Sequence, residues 1–227
     1  MKTIFTAIFG PYDDLKDPLI ITPGWDYICF TDQPFKSDVW KIIQKPMMPE
    51  GAARTARYYK IMFHRHVERD ESIWIDASFI INCNLDDWWM RFKEPMTCVK
   101  HPIRNDVYAE AQACIDQRRG DSRTIMKQVE LYWKIGLPKN NGLIASGILM
   151  RQMKQPVIDI CDLWWRQLSQ HSTRDQISLA YAVWKMPVPY YTEYNYSSET
   201  DFLYMYHLNS PKRQKRIDYY KSINLLK

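Results

Sequence analysis

Ser72-Ile73-Trp74-Ile75-Asp76-Ala77-Ser78 joins an apolar run to an aspartate and two small residues, and this is the most informative stretch of the chain. Short continuous apolar runs are typical of buried strands in parallel sheets. In open α/β sheets, ligands bind just beyond the carboxyl ends of such strands. The stretch therefore predicts a buried strand that presents the Asp76 carboxylate to a ligand cleft. The alternative is that Asp76 only caps or turns the chain, as short polar residues after strands often do.

Strand and helix patterns alternate on either side of this stretch. We predict strands over residues 3–9, 26–31, 40–44, 72–75 and 142–150, and helices over residues 51–67, 86–92, 107–118, 122–135, 155–170 and 174–184. Strands that alternate with helical crossovers indicate a largely parallel sheet. The expected fold class is α/β, with a mostly parallel central sheet flanked by helices.

The composition fits one globular domain. The chain has 227 residues, of which 46% are hydrophobic and 25% are charged, and it contains neither an internal repeat nor a low-complexity tract. Single α/β domains reach this length. We therefore expect one domain over residues 1–210, followed by a basic C-terminal helix or tail over residues 211–227.

Cysteine placement and the first residues bear on the compartment. The five cysteines are scattered without a Cys-x-x-Cys pair, which is typical of reduced core residues in an intracellular protein. Residues 1–10 have one lysine and a short apolar run without a small-residue cleavage site, so they predict a first strand and not a signal peptide. No apolar run is long enough to predict a transmembrane segment. We expect a cytoplasmic protein of a bacterium or a phage-infected host.

Much of the net charge of +5 comes from the C-terminal residues. The segment Lys212-Arg213-Gln214-Lys215-Arg216 is typical of a solvated helix face. A basic cluster also suits a polyanion, so a nucleic-acid partner and a peripheral membrane contact stay open as alternatives. The sequence does not predict an oligomeric state.

Seven ordered segments together resemble a known family. They are Phe5-Thr6-Ala7-Ile8-Phe9-Gly10-Pro11-Tyr12-Asp13, Asp26-Tyr27-Ile28-Cys29-Phe30-Thr31-Asp32, Ala53-Arg54-Thr55-Ala56-Arg57-Tyr58-Tyr59-Lys60, the stretch 72–78 quoted above, His101-Pro102-Ile103-Arg104, Asn141-Gly142-Leu143 and Arg174-Asp175-Gln176. In this order they resemble the glycosyltransferase-like domain of plant mucilage- and pectin-related proteins, which also has bacterial and phage homologues. The resemblance covers residues 3–185, and seven segments in order are far more specific than any single motif.

The resemblance implies a GT-A-like fold and glycosyl transfer. It implies a nucleotide-sugar donor and a divalent cation (Mn²⁺ or Mg²⁺). We expect the donor to be a UDP-sugar and the acceptor to be a hydroxyl of a glycan, a small molecule or a nucleic acid, as the absence of a predicted membrane anchor suggests. The transferred sugar, a hexose or a pentose, and the retaining or inverting outcome stay open.

Other function classes compete with this interpretation. A catalytically silent carbohydrate-binding domain agrees with the nine tryptophans and 15 tyrosines, because aromatic faces stack on sugars, although aromatic residues also fill cores. A sugar nucleotidyltransferase is disfavoured because it needs a Gly-rich phosphate loop after the first strand. The turn at that place, Gly10-Pro11-Tyr12, has a single glycine. A glycosidase is disfavoured because no pair of strand-end carboxylates stands out.

Three residues are the predicted metal ligands. A hard cation held by carboxylates neutralises a leaving diphosphate, and Asp76 is the first candidate. In many GT-A enzymes two aspartates frame one residue, whereas the third position here is Ser78. The resemblance suggests a C-terminal histidine as a further ligand, which is His207. The alternative for His207 is a hydrogen-bonded histidine on an aromatic surface.

Basic and aromatic residues are the predicted donor-nucleotide site. Arg54 and Arg57 share one face of the predicted helix, with Lys60 nearby, and these side chains suit phosphate. A solvated basic stripe is the alternative. Tyr12 is expected to stack on the base and Asp32 to bind base or ribose, unless both are ordinary turn residues. The full predicted donor set is Phe9, Tyr12, Asp32, Arg54, Arg57, Lys60 and Asp76.

Asp175 and Gln176 are the predicted catalytic residues. An aspartate in the first turn of a helix is favoured by the helix dipole alone. The resemblance places an acidic residue here beside the transferred sugar. Asp175 is expected to deprotonate the acceptor in an inverting enzyme. In a retaining enzyme, either residue is expected to contact the donor sugar.

A second group is predicted on the acceptor and sugar side. It comprises His101, Arg104, Asn141, Gly142 and Arg174. The alternatives are a surface loop for the first two residues and a turn before a strand for Asn141 and Gly142.

Overall fold

A computed structural model describes residues 2–68, 70–91, 94–187, 190–193 and 201–226, with only the backbone described for 191–193. Its central sheet has seven strands in the order β3-β2-β1-β4-β7-β6-β8. These are β1 (Lys2–Ile8), β2 (Trp25–Thr31), β3 (Lys41–Gln44), β4 (Glu71–Ile75), β6 (Met96–Lys100), β7 (Ile144–Gln152) and β8 (Tyr190–Glu193). A separate pair is formed by β5 (Phe79–Ile81) and β9 (Phe202–Tyr204), which run antiparallel.

All strands of the large sheet except β7 run in one direction. β1 is parallel to β2 and β4, and β2 is parallel to β3. β7 is antiparallel to β4 and β6, and β6 is parallel to β8. The predicted α/β class with a mostly parallel central sheet is confirmed. The carboxyl ends of β1, β2, β4 and β6 therefore meet the start of β7 at one edge, where ligands bind in sheets of this kind.

The helices agree with the predicted positions within a few residues, with one exception. They are α1 (Ala52–Ile61), α2 (Leu85–Met90), α3 (Val107–Asp116), α4 (Ser122–Lys134), α5 (Val157–Gln170), α6 (Asp175–Lys185) and α7 (Arg213–Ser222). The helix predicted over 51–67 is wrong beyond Ile61, because the chain continues as a 3₁₀ turn over Phe63–Arg65. This turn places the Phe63 ring on that of Phe5, with centroids 3.8 Å apart. Position 92, the predicted end of another helix, lies outside the described residues.

Both faces of the large sheet are buried, which explains the continuous apolar runs in its strands. Neighbouring residues of β1 point to opposite faces, so Phe5 packs with α1 and α5 while Ile4 packs with α2. A third core joins α3, α4 and α6. The five cysteines (Cys29, Cys83, Cys98, Cys114 and Cys161) are buried and unpaired, as predicted for core residues.

The C-terminal residues pack against the small β5-β9 pair. Tyr220 of α7 is buried with Ile80 and Leu203, and its hydroxyl donates to the Tyr204 carbonyl at 3.1 Å. No strand is predicted from the sequence between residues 185 and 210, where the structure has β8 and β9. Within the described residues, no helix combines the length and apolarity needed to cross a bilayer.

Candidate functional site

Asp76 lies at the sheet edge where β4 ends. Its backbone N–H donates to the Gly147 carbonyl of β7 at 2.8 Å, which fixes the turn that follows the strand. Its Oδ1 accepts from Trp74 Nε1 at 2.7 Å and lies 3.4 Å from Lys60 Nζ. The side chain is 37% exposed. Asp76 is therefore a carboxylate that is held on one oxygen and stays partly exposed at the end of β4.

A buried ion pair lies beside Asp76. Lys60 Nζ is 2.6 Å from Asp175 Oδ2, and the lysine side chain is only 1% exposed. Ser146 of β7 donates from its hydroxyl to the same carboxylate oxygen at 2.9 Å and contacts Lys60 Nζ at 3.1 Å. Lys60 thus bridges Asp175 and Asp76, and α1, β4, β7 and α6 converge on one cluster.

The cluster keeps Asp175 ionised. Burial raises the pKa of the Asp175 carboxyl, but Lys60, Arg57 and Arg174 outweigh it, and the pKa lies well below its ordinary value. Arg57 Nε is 3.9 Å from Asp175 Oδ1. A carboxylate of such low pKa is a weak base at neutral pH, whereas its fixed negative charge stabilises nearby positive charge.

The start of α6 is fixed to the sheet and to α5. Trp164 Nε1 donates to the Asp175 carbonyl at 2.9 Å. Gln176 Nε2 donates to the Ile144 carbonyl at the start of β7 at 3.2 Å. Both predicted catalytic residues therefore lie at the sheet edge that holds Asp76.

The two arginines of α1 have different surroundings. The Arg54 guanidinium donates to the carbonyls of Leu168, Ser169 and His171, at the C-terminal end of α5. Arg57 faces Asp175, and its buried Nε has no hydrogen-bond partner within the described residues. Buried donors without a hydrogen-bond partner are rare in folded proteins, and a ligand bound at this site would explain this one.

The three donor-site residues predicted after β1 and β2 differ in their exposure to solvent. Phe9 is buried, and its ring stacks on that of Tyr59 with centroids 5.4 Å apart. Asp32 Oδ1 accepts from the Gly10 N–H and from Gln33 Nε2, both at 2.8 Å. Tyr12 is 59% exposed. Of these three residues, Tyr12 presents an open face.

His207 is connected to the turn after Asp76 by a series of polar contacts that runs through Asp13 and Lys16. Its Nδ1 lies 2.7 Å from Asp13 Oδ2, and its ring lies on that of Tyr12 with centroids 4.6 Å apart. Lys16 Nζ donates to Asp13 Oδ1 at 2.9 Å and to the Ala77 carbonyl at 2.7 Å. A histidine held at one ring nitrogen by a carboxylate keeps the other nitrogen for a ligand.

The predicted metal ligands suit a divalent cation only if the donor supplies further ligands. The described part of the chain holds no group of three His, Cys, Asp or Glu side chains that suits a metal. Asp76 Oδ2 has no protein partner there, and the Ser78 carbonyl is taken by the Met205 N–H. Mg²⁺ is often bound by one or two carboxylates together with substrate phosphates. The Asp76 carboxylate, with its free Oδ2, fits this donor-dependent mode.

The predicted acceptor-side residues lie around a glutamate that the sequence did not single out. Glu110 of α3 is buried, 2.6 Å from Arg104 Nε and 3.8 Å from both His101 Nε2 and Arg174 Nη2. Burial and Arg104 lower the pKa of His101 in spite of Glu110, so this ring is mainly neutral at pH 7.

The remaining two residues of this group form the turn before β7. Gly142 has φ +82°, a left-handed conformation that suits glycine. Asn141 beside it is exposed. The next carbonyl, that of Leu143, accepts from the His101 N–H at 2.8 Å, which connects this turn to the loop after β6.

Sequence reasoning missed several residues of the site. Ser146 lies within an apolar strand, and Asp13 and Lys16 lie in a turn where polar residues are ordinary. Glu110 has the position of a first-turn acid, which a helix dipole explains by itself. No local signal marked these residues, because their partners lie far away in the chain.

Comparisons with known proteins give one family match and several similar solved structures. The family model for the "TOD1/MUCI70, glycosyltransferase-like domain" matches residues 28–204. No curated protein matches the sequence. Among solved structures, the galactosyltransferase LgtC is 12% identical, with 84% of this chain and 73% of that chain covered and a TM-score of 0.44.

Two further structures are similar at the same level. Mouse xyloside xylosyltransferase 1 is 7% identical, with 85% of this chain and 84% of that chain covered and a TM-score of 0.47. The glycosyltransferase GlyE of Streptococcus pneumoniae TIGR4 is 12% identical, with 84% and 45% covered and a TM-score of 0.44. At these identities the likeness concerns the fold alone.

Proposed function

The chain belongs to the TOD1/MUCI70 glycosyltransferase-like family, as its seven segments predicted, and on this premise we propose that it transfers a sugar from a nucleotide-sugar donor to a hydroxyl acceptor. The observation that carries the proposal is the Lys60-Asp175 pair, buried beside the open Asp76 carboxylate at the carboxyl end of β4. Glycosyl transfer needs negative charge near the reacting carbon and positive charge near the leaving diphosphate, and this cluster has both.

Arg57 is the proposed diphosphate contact. Its side chain is 28% exposed, so the positive charge of its guanidinium lies within reach of a phosphate group at the site. Lys60 is fully buried on two carboxylates, so we assign it the role of holding Asp175 and Asp76 at a fixed separation. Tyr12, open at the end of β1, is the proposed stacking surface for the nucleobase.

Asp175 is proposed to act through its charge. Its carboxylate is engaged by Lys60 and Ser146, which leaves it poorly placed to take the proton of a sugar hydroxyl, and this supports the retaining over the inverting outcome. Its carboxylate stabilises the positive charge that develops on the sugar as the bond to the diphosphate breaks. The acceptor oxygen forms the new bond to the same carbon, and its proton leaves with the diphosphate. Gln176 is proposed to contact the donor sugar.

Asp76 and His207 are the residues that would hold Mn²⁺ or Mg²⁺ together with the donor. When bound, the cation neutralises charge on the leaving diphosphate. Ser78 contributes to the proposed site through the shape of its turn, since its carbonyl is bonded to the Met205 N–H. The described residues alone supply too few ligands, so we propose that metal and nucleotide bind together.

His101, Arg104, Asn141, Gly142 and Arg174 are the proposed acceptor side. The acceptor is a glycan, a small molecule or a nucleic acid, and the donor is a UDP-sugar of the hexose or pentose type. The five unpaired buried cysteines support a reducing compartment such as the cytoplasm.

A thermal-shift panel tests the proposal. UDP, GDP, CDP and dTDP are added with and without Mn²⁺ to the wild type, to Asp76→Asn and to the exposed control Asp38→Asn. A ligand that binds only the native state raises its stability, so we expect one nucleotide to raise the Tm in the presence of Mn²⁺. Asp76→Asn should abolish the shift, and Asp38→Asn should keep it.

Hydrolysis of the matching nucleotide sugars then names the donor. UDP-hexoses and UDP-pentoses are incubated with the enzyme, and release of the free sugar is followed. No shift with any nucleotide and no hydrolysis of any donor would overturn the proposal and favour the silent carbohydrate-binding domain.

A further inference from the structure

Glu110 collects three basic side chains from two segments other than its own helix. Arg104 and His101 come from the loop between β6 and α3, and Arg174 precedes Asp175 at the start of α6. The Glu110 side chain is 1% exposed. Its Oε1 also accepts from Cys114 Sγ at 3.3 Å. The Glu110 carboxylate is therefore surrounded by side chains of the loop, of α3 and of the start of α6.

Arg174 connects this carboxylate to the proposed reaction centre. Its Nη2 lies 3.8 Å from Glu110 Oε1, while its own Nε is buried without a hydrogen-bond partner in the described chain. Its backbone carbonyl accepts from the N–H groups of Ile177 and Ser178, so its position sets the first turn of α6. That turn begins with Asp175.

Arg104 connects the same carboxylate to the loop after β6. Arg104 Nε donates to Glu110 Oε2 at 2.6 Å, a short charge-assisted contact. The backbone N–H groups of Ile103 and Arg104 donate to His101 Nδ1 at 3.2 and 2.9 Å, which closes the loop on itself. Through Arg104, Glu110 therefore fixes a loop that is already closed on itself.

We propose that Glu110 is a positioning residue of the transferase site, which fixes Asp175 through Arg174 and the 101–106 loop through Arg104. The inference rests on the proposed function for its catalytic consequence, but not for the positioning itself. Glu110 touches no reacting atom in this assignment. Its charge is what matters, because a neutral side chain removes the buried carboxylate that faces the partly buried Arg104 and Arg174 and leaves Asp175 as the acid beside Arg174.

Hydrogen exchange tests the positioning without any substrate. Glu110→Gln keeps the size of the side chain and removes its charge, and Glu130→Gln, on an exposed position of α4, is the matched control. We expect at least tenfold faster amide exchange in residues 101–106 and 172–178 of Glu110→Gln, with the strands of the central sheet unchanged. Glu110→Asp, which restores the charge, should recover part of the protection.

Two further variants separate the connections. Arg104→Gln should raise exchange in 101–106 alone, and Arg174→Gln should raise it in 172–178 alone. These variants also decide the matter if Glu110→Gln does not fold. Unchanged exchange in both segments, or a uniform rise over the whole chain, overturns the proposal.

Donor hydrolysis tests the catalytic consequence. We expect Glu110→Gln to lower kcat at least tenfold while the donor KM stays within twofold, since the predicted nucleotide contacts lie on α1 and after β1, β2 and β4, outside both segments. A kcat equal to that of the wild type, measured well below the Tm, overturns the link to Asp175. If the wild type hydrolyses no donor, the proposed function fails, and the exchange experiment still decides whether Glu110 positions both segments.

Discussion

Lys60 Nζ lies 2.6 Å from Asp175 Oδ2, although 115 residues separate the two in the chain. The lysine comes from the last turn of α1 and the aspartate from the first turn of α6. Removing one partner of such a buried pair leaves the other as an uncompensated charge. The pair therefore couples the stability of the fold to the integrity of the site.

Lys60→Met should strongly destabilise the protein. The change keeps the length of the side chain but leaves Asp175 buried without its closest cation, which costs about 3–5 kcal/mol in comparable pairs. Urea unfolding measures the free energy, and the exposed Lys127→Met is the control. The double variant with Asp175→Asn should lose less than the sum of the two single changes. A loss below about 1 kcal/mol in Lys60→Met would contradict a tightly coupled pair.

Asp175 should make stability depend on pH in the acid range. Its pKa in the folded protein lies below the ordinary aspartate value of 3.8. A depressed carboxyl pKa contributes stability above the unfolded value, and this contribution is lost as the pH falls toward the folded value. We expect the free energy of unfolding to drop below about pH 4, as the unfolded carboxyl begins to take up a proton.

The matching control is Asp175→Asn, measured over the same pH range. This variant should show a shallower acid dependence than the wild type, because one depressed carboxyl is gone. Asp14, whose pKa is also lowered by Arg213, Asp13 and Lys16 in spite of its burial, should supply part of the remaining slope. Parallel curves for wild type and Asp175→Asn would refute the assignment.

Asp13→Asn should weaken both stability and metal-dependent binding. Asp13 is buried between Lys16, His207 and Arg213, so the change removes the central carboxylate of a buried network, at a cost of about 3 kcal/mol. His207 also loses the group that orients its ring, and such losses lower metal affinity about 10- to 100-fold.

His207→Ala separates the two effects of Asp13→Asn. This variant should abolish the Mn²⁺ dependence of nucleotide binding in the thermal-shift assay at a much smaller cost in stability. Nucleotide binding with an unchanged Mn²⁺ dependence in His207→Ala would rule the histidine out as a ligand.

Arg118→Gly should stabilise the protein. Arg118 follows α3 with φ 54°, a left-handed conformation that costs a residue with a Cβ about 1–2 kcal/mol. Glycine adopts it freely, although its greater freedom in the unfolded chain offsets part of the gain. We expect a net gain of about 0.5–1 kcal/mol in urea unfolding. Arg118→Ala keeps the Cβ and should show no gain; equal gains in both variants would refute the backbone explanation.

Much of the fold followed from local patterns. The apolar runs before Asp76 and around Cys29 predicted strands correctly, because both faces of the sheet are buried. The strands β5, β6, β8 and β9 were missed. They are as short as the predicted β3 and β4, but they pair with one another or with β7 across long stretches of chain. Short elements carry too few side chains to show a period.

The candidate site was predictable as a set of residues but not as an arrangement. Asp76, Lys60 and Asp175 were each singled out from the sequence, yet nothing in it paired Lys60 with Asp175. Arg54 and Arg57 lie on the same face of the predicted helix, so the sequence gives them the same role. In the structure Arg54 binds the end of α5, whereas Arg57 faces Asp175. Tertiary contacts of this kind decide which charges face each other.

The contact of His207 with Asp13 joins residues 194 positions apart, and Arg213 adds a two-pronged contact to Asp14. A nascent chain leaves the ribosome from its N-terminus, and its early residues meet their partners in order of synthesis. The loop after β1 is thus made well before His207 and Arg213, the side chains that contact its carboxylates, because both follow β8 in the chain. Translation therefore completes the surroundings of Tyr12 only after the whole central sheet has been synthesised.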